Sequence, residues 1–125
     1  MNQERKNIFV VDNDAFMLQI YKISLSKKFN VQLCTNVEEC NNKLREVSAD
    51  MFIIDLSLEE ELDGLELIKI IRKLDDHTQT PIIVVTGYTS RHYEQHSFDA
   101  GATIFLRKPV MFVNLVDKIN LLLSD

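Results

Sequence analysis

The chain has 125 residues, of which 46% are apolar and 26% charged, and carries a formal net charge of −5 at pH 7. That length holds one hydrophobic core rather than a catalytic domain with a cap or lid, and that balance excludes disordered and collagen-like chains. The 14 basic residues are spread from Arg5 to Lys118 with no dense cationic stripe, which argues against nucleic acid as a partner.

Residues 8–11 (Ile8, Phe9, Val10, Val11) are a continuous apolar run rich in β-branched side chains and predict a buried strand. Asn13 or Asp14 then marks a helix start. Residues 31–34 alternate apolar with polar, as a strand does near a sheet edge, and Thr35 or Asn36 followed three residues on by Glu38 or Glu39 signals the next helix. Residues 51–54 predict a third strand. Asp63 reads as the cap of the helix that follows, with Gly64 permitting the turn and Leu65, Ile68, Ile71 and Leu74 forming its apolar stripe. Pro81 opens a fourth strand over residues 82–85, Ser90 starts a fourth helix, and residues 103–106 form a fifth strand closed by Pro109. Val113, Val116, Ile119 and Leu122 give the last helix its stripe.

Strand and helix thus alternate five times, and the continuous runs imply a parallel sheet covered on both faces. The expected fold is a single α/β domain over residues 1–125. It is a doubly wound five-stranded parallel sheet in the order 2-1-3-4-5 with five helices, a flavodoxin-like three-layer sandwich. Two cysteines, Cys34 and Cys40, without a CxxC spacing suggest neither a disulfide framework nor a zinc site, and fit reduced thiols. No apolar run reaches ~18 residues and neither end carries a lipidation signature, so a cytoplasmic location without membrane attachment is expected.

In such sheets the functional groups gather beyond the carboxyl ends of the strands. The residues standing there are Asp12 with Asn13 and Asp14, Asp55, Thr86, and Arg107, Lys108 and Pro109. Asp12 and Asp55 each follow four apolar residues directly, where a carboxylate is costly to bury unless it is solvated in a cleft or paired. Two carboxylates, a hydroxyl and an ammonium converging on one edge suit phosphoryl chemistry with a divalent ion such as Mg2+.

Six stretches carry a resemblance to the receiver domain of two-component response regulators: residues 8–12 ending in Asp12, 52–55 ending in Asp55, 63–68 opening on Asp63 and Gly64, 81–87 with Thr86 and Gly87, 99–103, and the pair Lys108 and Pro109. The resemblance runs from Asn7 to about Leu123. It implies that Asp55 is a phosphoacceptor, taking a phosphoryl group from the phosphohistidine of a sensor histidine kinase or histidine phosphotransfer protein. It also implies that Asp12, Asn13, Asp55 and the backbone carbonyl of Ser57 hold Mg2+, that Lys108 pairs with Asp55 and then with the phosphoryl oxygens, and that Thr86 and the aromatic Phe105 switch together. The output face would be helix 4, strand 5 and helix 5, facing a downstream effector that the sequence does not identify. A homodimer through helices 4 and 5 is compatible with it, with Asp99 and Lys118 available for cross-chain pairs. The resemblance implies a signalling switch with only slow self-catalysed transfer and hydrolysis, not an enzyme.

This chain departs from the family where most members carry a second acidic residue after the one matched by Asp12. Here it is Asn13, whose amide oxygen brings no charge, so weaker Mg2+ binding is expected. The loop from Leu56 to Leu62 is one residue longer than the commonest form and lacks its usual proline; Glu59, Glu60 and Glu61 read as a solvated tip. His92 and His96 are spaced i,i+4 on a predicted helix without an evident third ligand, His77 reads as a loop histidine, and Tyr88 and Tyr93 as interface or partly packed aromatics.

Three other readings compete. Asp12, Asn13 and Asp14 imitate the Asp-x-Asp nucleophile of haloacid-dehalogenase-like phosphatases, but Ala15 replaces the expected Thr or Val, no late paired-aspartate motif follows, and Asp55 is left unexplained. A flavin or nucleotide binder lacks a glycine-rich loop after the first strand, since Gly64, Gly87 and Gly101 are the only glycines. The third is a receiver-like interaction module independent of phosphorylation, for which Asn13 is the support.

Overall fold

The computed structural model describes residues 5–87 and 91–124. Its five strands are β1 (Asn7–Val11), β2 (Asn30–Cys34), β3 (Met51–Ile54), β4 (Ile82–Thr86) and β5 (Ile104–Arg107). All neighbouring strands pair in parallel, in the order β2-β1-β3-β4-β5. The helices are α1 (Ala15–Leu25), α2 (Val37–Leu44), α3 (Asp63–Arg72), α4 (Arg91–Ala100) and α5 (Phe112–Leu123), with a short 3-10 turn at Asp75–His77. The expected fold class and strand order are therefore observed.

The period-two geometry of a strand explains how one continuous apolar run serves two cores. Phe9 and Val11 point into a layer with Phe52, Ile54, Val84 and the apolar side chains of α2 and α3. Ile8 and Val10 point the opposite way, toward Leu18, Tyr21 and Leu25 of α1 and Leu115 and Ile119 of α5. β2, at the edge, is half-exposed over Val31, Gln32 and Leu33, which is why its sequence alternates.

Helix starts follow the sequence with one exception. Asp14 caps α1 by accepting from the N–H groups of Phe16 and Met17, and Asn36 caps α2 by accepting from that of Glu39. Glu39 reaches back to the N–H and hydroxyl of Thr35 at 2.6 and 2.7 Å, a reciprocal cap displaced by one residue. Asp63 is not the cap of α3; it is the first helical residue, and the cap position is Leu62, at φ 62° with no side-chain cap bond. The carboxylate of Asp63 instead turns back on its own loop. Ser90 and Tyr88 lie outside the described residues.

Two apolar stripes are rotated from the expected ones. In α3 the buried residues are Gly64, Leu67, Ile68 and Ile71, while Leu74 lies past the helix end, 37% exposed. In α5 they are Leu115 and Ile119, and Val113 is 68% exposed. Both helices carry more apolar residues than one stripe needs, so the packing partner decides the phase. His77 is not a loop histidine in the exposed sense. It is buried, with Nδ1 2.8 Å from the Thr80 hydroxyl and its ring edge-on to Phe52. Among the described residues no helix is long and apolar enough to cross a membrane.

Candidate functional site

One backbone device positions three of the site residues. Asp12, Asp55 and Lys108 are each the first residue past a strand, and each still donates its N–H to the neighbouring strand: Asp12 to Cys34 at 3.0 Å, Asp55 to Val11 at 2.9 Å, Lys108 to Thr86 at 2.8 Å. The parallel ladder continues by one bond, which fixes the Cα of each residue while its side chain leaves the sheet edge. Because Val11 and Ile54 are register partners, Asp12 and Asp55 emerge side by side.

The Lys108 ammonium spans the two carboxylates, 2.8 Å from Asp55 Oδ2 and 3.1 Å from Asp12 Oδ2. Both acids are largely withdrawn from water, Asp12 at 2% and Asp55 at 9% exposure. Two anions against one cation leave this pocket with a net charge of −1 when all three groups are ionised. Burial pushes the Asp12 carboxyl above its ordinary value; the Asp14 N–H, at 2.9 Å from Oδ1, and Lys108 act against this, and the Asp55 charge adds to it. For Lys108 burial works downward, yet the bonds and charges of Asp55 and Asp12 outweigh it and hold the ammonium above the ordinary lysine range.

The sequence model described as the response regulator receiver domain matches residues 8–120 of this chain. The chain belongs to the response regulator receiver domain family. The receiver domain is 30% identical over 126 aligned positions to the transcriptional regulatory protein ZraR of Klebsiella oxytoca, covering 100% of this chain and 27% of that protein. It is 30% identical over 107 positions to the response regulator protein PilR of Pseudomonas aeruginosa, covering 85% and 23%. The receiver domain thus spans about a quarter of the length of these two relatives. Among solved structures it resembles a receiver domain protein from Methanospirillum hungatei JF-1, at 29% identity and a TM-score of 0.85 over 94% of this chain and 92% of the other. A response regulator from Thermotoga maritima matches at 26% identity and a TM-score of 0.83, over 97% and 99%. Receiver domains of response regulators are signalling components of two-component systems.

Around the receiver domain's central pair, the remaining predicted residues fall as follows. Thr86, fully buried, ends β4 opposite Arg107 in register, and its carbonyl holds the Lys108 backbone. Phe105 is buried at 8% exposure, with the Arg107 guanidinium 5.5 Å from its ring centre. Arg107 also reaches Glu94 of α4 at 2.9 Å. Asn13 is exposed and donates from Nδ2 to the Leu58 carbonyl at 2.6 Å. Ser57 donates its N–H to Asp55 Oδ1 at 3.3 Å and accepts from the Leu62 N–H on its hydroxyl. Asp14 spends its carboxylate on the α1 cap. Among the described residues no group of three or more His, Cys, Asp or Glu side chains is poised to hold a metal, which leaves Asp12 and Asp55 as the charged pair here.

Sequence reasoning missed what Asp63 does. Its two oxygens accept from the N–H groups of Leu58, Glu59 and Glu60 at 2.7, 3.2 and 3.1 Å, ordering the loop beside Asp55 while Glu59, Glu60 and Glu61 face water. Gly64 serves close approach rather than a turn. A Cβ there would collide with the Asp55 carbonyl oxygen and stand 2.8 Å from Leu56 Cα. The adjacent Asp63 and Gly64 were the available signal, since a carboxylate before a glycine marks backbone that needs both an acceptor and room.

Proposed function

We propose that this receiver domain accepts a phosphoryl group on Asp55 from the phosphohistidine of a sensor histidine kinase or phosphotransfer protein. The observation that carries the reading is the Lys108 ammonium shared between the largely buried carboxylates of Asp55 and Asp12, a cluster with net negative charge when all three are ionised. An Asp55 oxygen attacks phosphorus, the P–N bond of the donor breaks, and the histidine ring leaves as neutral imidazole after taking a proton. Lys108, already on Asp55, follows the charge onto the phosphoryl oxygens and offsets the repulsion between two anions. Thr86, beside Lys108 on β4, offers its hydroxyl to the same oxygens, and Phe105 moves with it. The altered surface of α4, β5 and α5 then meets a downstream effector, with the Arg107 and Glu94 pair bridging β5 to α4.

The donor set suits Mg2+: the carboxylates of Asp12 and Asp55, the amide oxygen of Asn13 and the Ser57 carbonyl are all hard oxygen donors, and one unit of negative charge is uncompensated. Bound there, the ion supplies further neutralisation of the phosphoryl oxygens. Asn13 contributes no charge and has already committed its Nδ2 to Leu58, so affinity is lower than an acidic residue would give.

That same bond favours a second reading, a phosphorylation-independent interaction module, because Asn13 ties the loop after β3 down without an ion. Intact mass and peptide mapping after incubation with acetyl phosphate, with and without Mg2+, separates the two. One phosphoryl group on Asp55, dependent on Mg2+ and lost in Asp55→Asn, supports the switch. No adduct from acetyl phosphate or from a panel of phosphorylated kinases supports the module, and a label on Asp12 revives the phosphatase.

A further inference from the structure

The α4 face carries a pair of groups that the phosphoryl site does not use. His92 and His96 are both exposed, one turn apart, with their Nε2 atoms 2.9 Å from each other. Their ring centres are only 4.2 Å apart. A collinear head-to-head hydrogen bond would hold the centres about 5 Å apart or more; instead the rings stand edge to face at 89°, with both Nε2 atoms on the same exposed turn.

Two imidazole nitrogens held this close on one exposed turn lie within reach of a single ion. With metal–nitrogen bonds of about 2.05 Å, two nitrogens at this separation subtend about 90° at a shared ion, whereas a tetrahedral ion needs them about 3.3 Å apart. A 90° edge belongs to square-planar, tetragonal or octahedral ions, and imidazole donors with that geometry select Cu2+ and Ni2+ over Mg2+ or Ca2+.

We propose that His92 and His96 form a two-imidazole chelate for Cu2+ or Ni2+ on α4, separate from the oxygen-donor pocket at Asp12 and Asp55. No third His, Cys, Asp or Glu side chain joins them among the described residues. With both rings neutral, the ring that donates the shared hydrogen bond loses its proton at Nε2 and gains one at Nδ1. Both Nε2 lone pairs then face the ion without net proton release.

The test uses the full chain with excess Mg2+ present, titrated calorimetrically with Ni2+, and a Cu2+ electron paramagnetic resonance spectrum at one equivalent. His92→Ala and His96→Ala place a strong helix former at exposed positions, so both variants keep the fold. The wild type is expected to bind one Ni2+ and to show two coordinated nitrogens on Cu2+. Each variant is expected to bind roughly 100-fold more weakly, because the second contact is no longer intramolecular, and to show one nitrogen. Ni2+ should also raise the thermal midpoint of the wild type alone. Equal affinities in wild type and variants, or a wild type without a two-nitrogen signature, would overturn the proposal.

Discussion

Replacing Lys108 with methionine keeps the length of the side chain and removes the one cation shared by Asp12 and Asp55. With the ammonium 2.8 and 3.1 Å from the two Oδ2 atoms, those oxygens lie within about 6 Å of each other. At an effective dielectric of ~20 their repulsion is about 3 kcal/mol. The Lys108 side chain is 27% exposed, so water and counter-ions reach the pocket and screen part of this. The expected destabilisation is about 2 kcal/mol, below the 3–5 kcal/mol typical of a fully buried pair that loses one partner. In urea unfolding followed by circular dichroism at pH 7, with chelator present, that lowers the midpoint by roughly 1 M for a domain of this size. Adding Asp55→Asn to the variant removes one of the two repelling charges and should restore most of the loss. A Lys108→Met midpoint within about 0.3 M of wild type, or a double variant no more stable than the single, would refute the claim that this lysine balances two carboxylates.

Gly64→Ala pushes a methyl group against the backbone of Asp55 and Leu56, where no side chain can yield; a loss of about 2–3 kcal/mol is expected in the same urea assay, and a loss under about 0.5 kcal/mol would contradict it. Arg72 donates to the carbonyls of Gly101, His77 and Thr80 at distances from 2.6 to 3.0 Å. Arg72→Met strands these acceptors and should cost about 3 kcal/mol, with faster amide exchange at the end of α4 as the local readout. Burial holds His77 below its ordinary value; the Arg72 charge adds to this and Asp76 and Asp50 oppose it. The unfolded chain therefore takes up the proton first, so this contribution is intact above about pH 6.5 and is lost as pH falls through the depressed folded value. Stability of His77→Leu should fall less than that of wild type between pH 7.5 and 5, and parallel slopes would sink the assignment.

Much of this protein was legible locally. β-Branched runs and their boundaries, the alternation of strand with helix, the edge character of β2, and the acids standing one residue past β1 and β3 all depend on neighbours within a few positions, and periodicity reports such neighbours directly. The caps at Asp14 and Asn36 belong to the same class. The tertiary structure decided what depends on chain closure. Lys108 meets Asp12 and Asp55 across separations of 96 and 53 residues; the family resemblance names the pairing with Asp55, whereas the second contact, to Asp12, comes from the tertiary structure alone. The rotational phase of α3 and α5 depended on the facing sheet, since each sequence holds apolar residues enough for more than one stripe. The same holds for His77, whose burial against Phe52 is invisible in a polar stretch, and for Asp63, whose carboxylate had both a helix and a loop within reach and satisfied the loop. Local sequence determines which elements form and where chemistry-bearing side chains leave them, because backbone and hydration preferences are short-ranged. Only packing settles which of those side chains meet, because a contact between distant residues exists only once the core has closed.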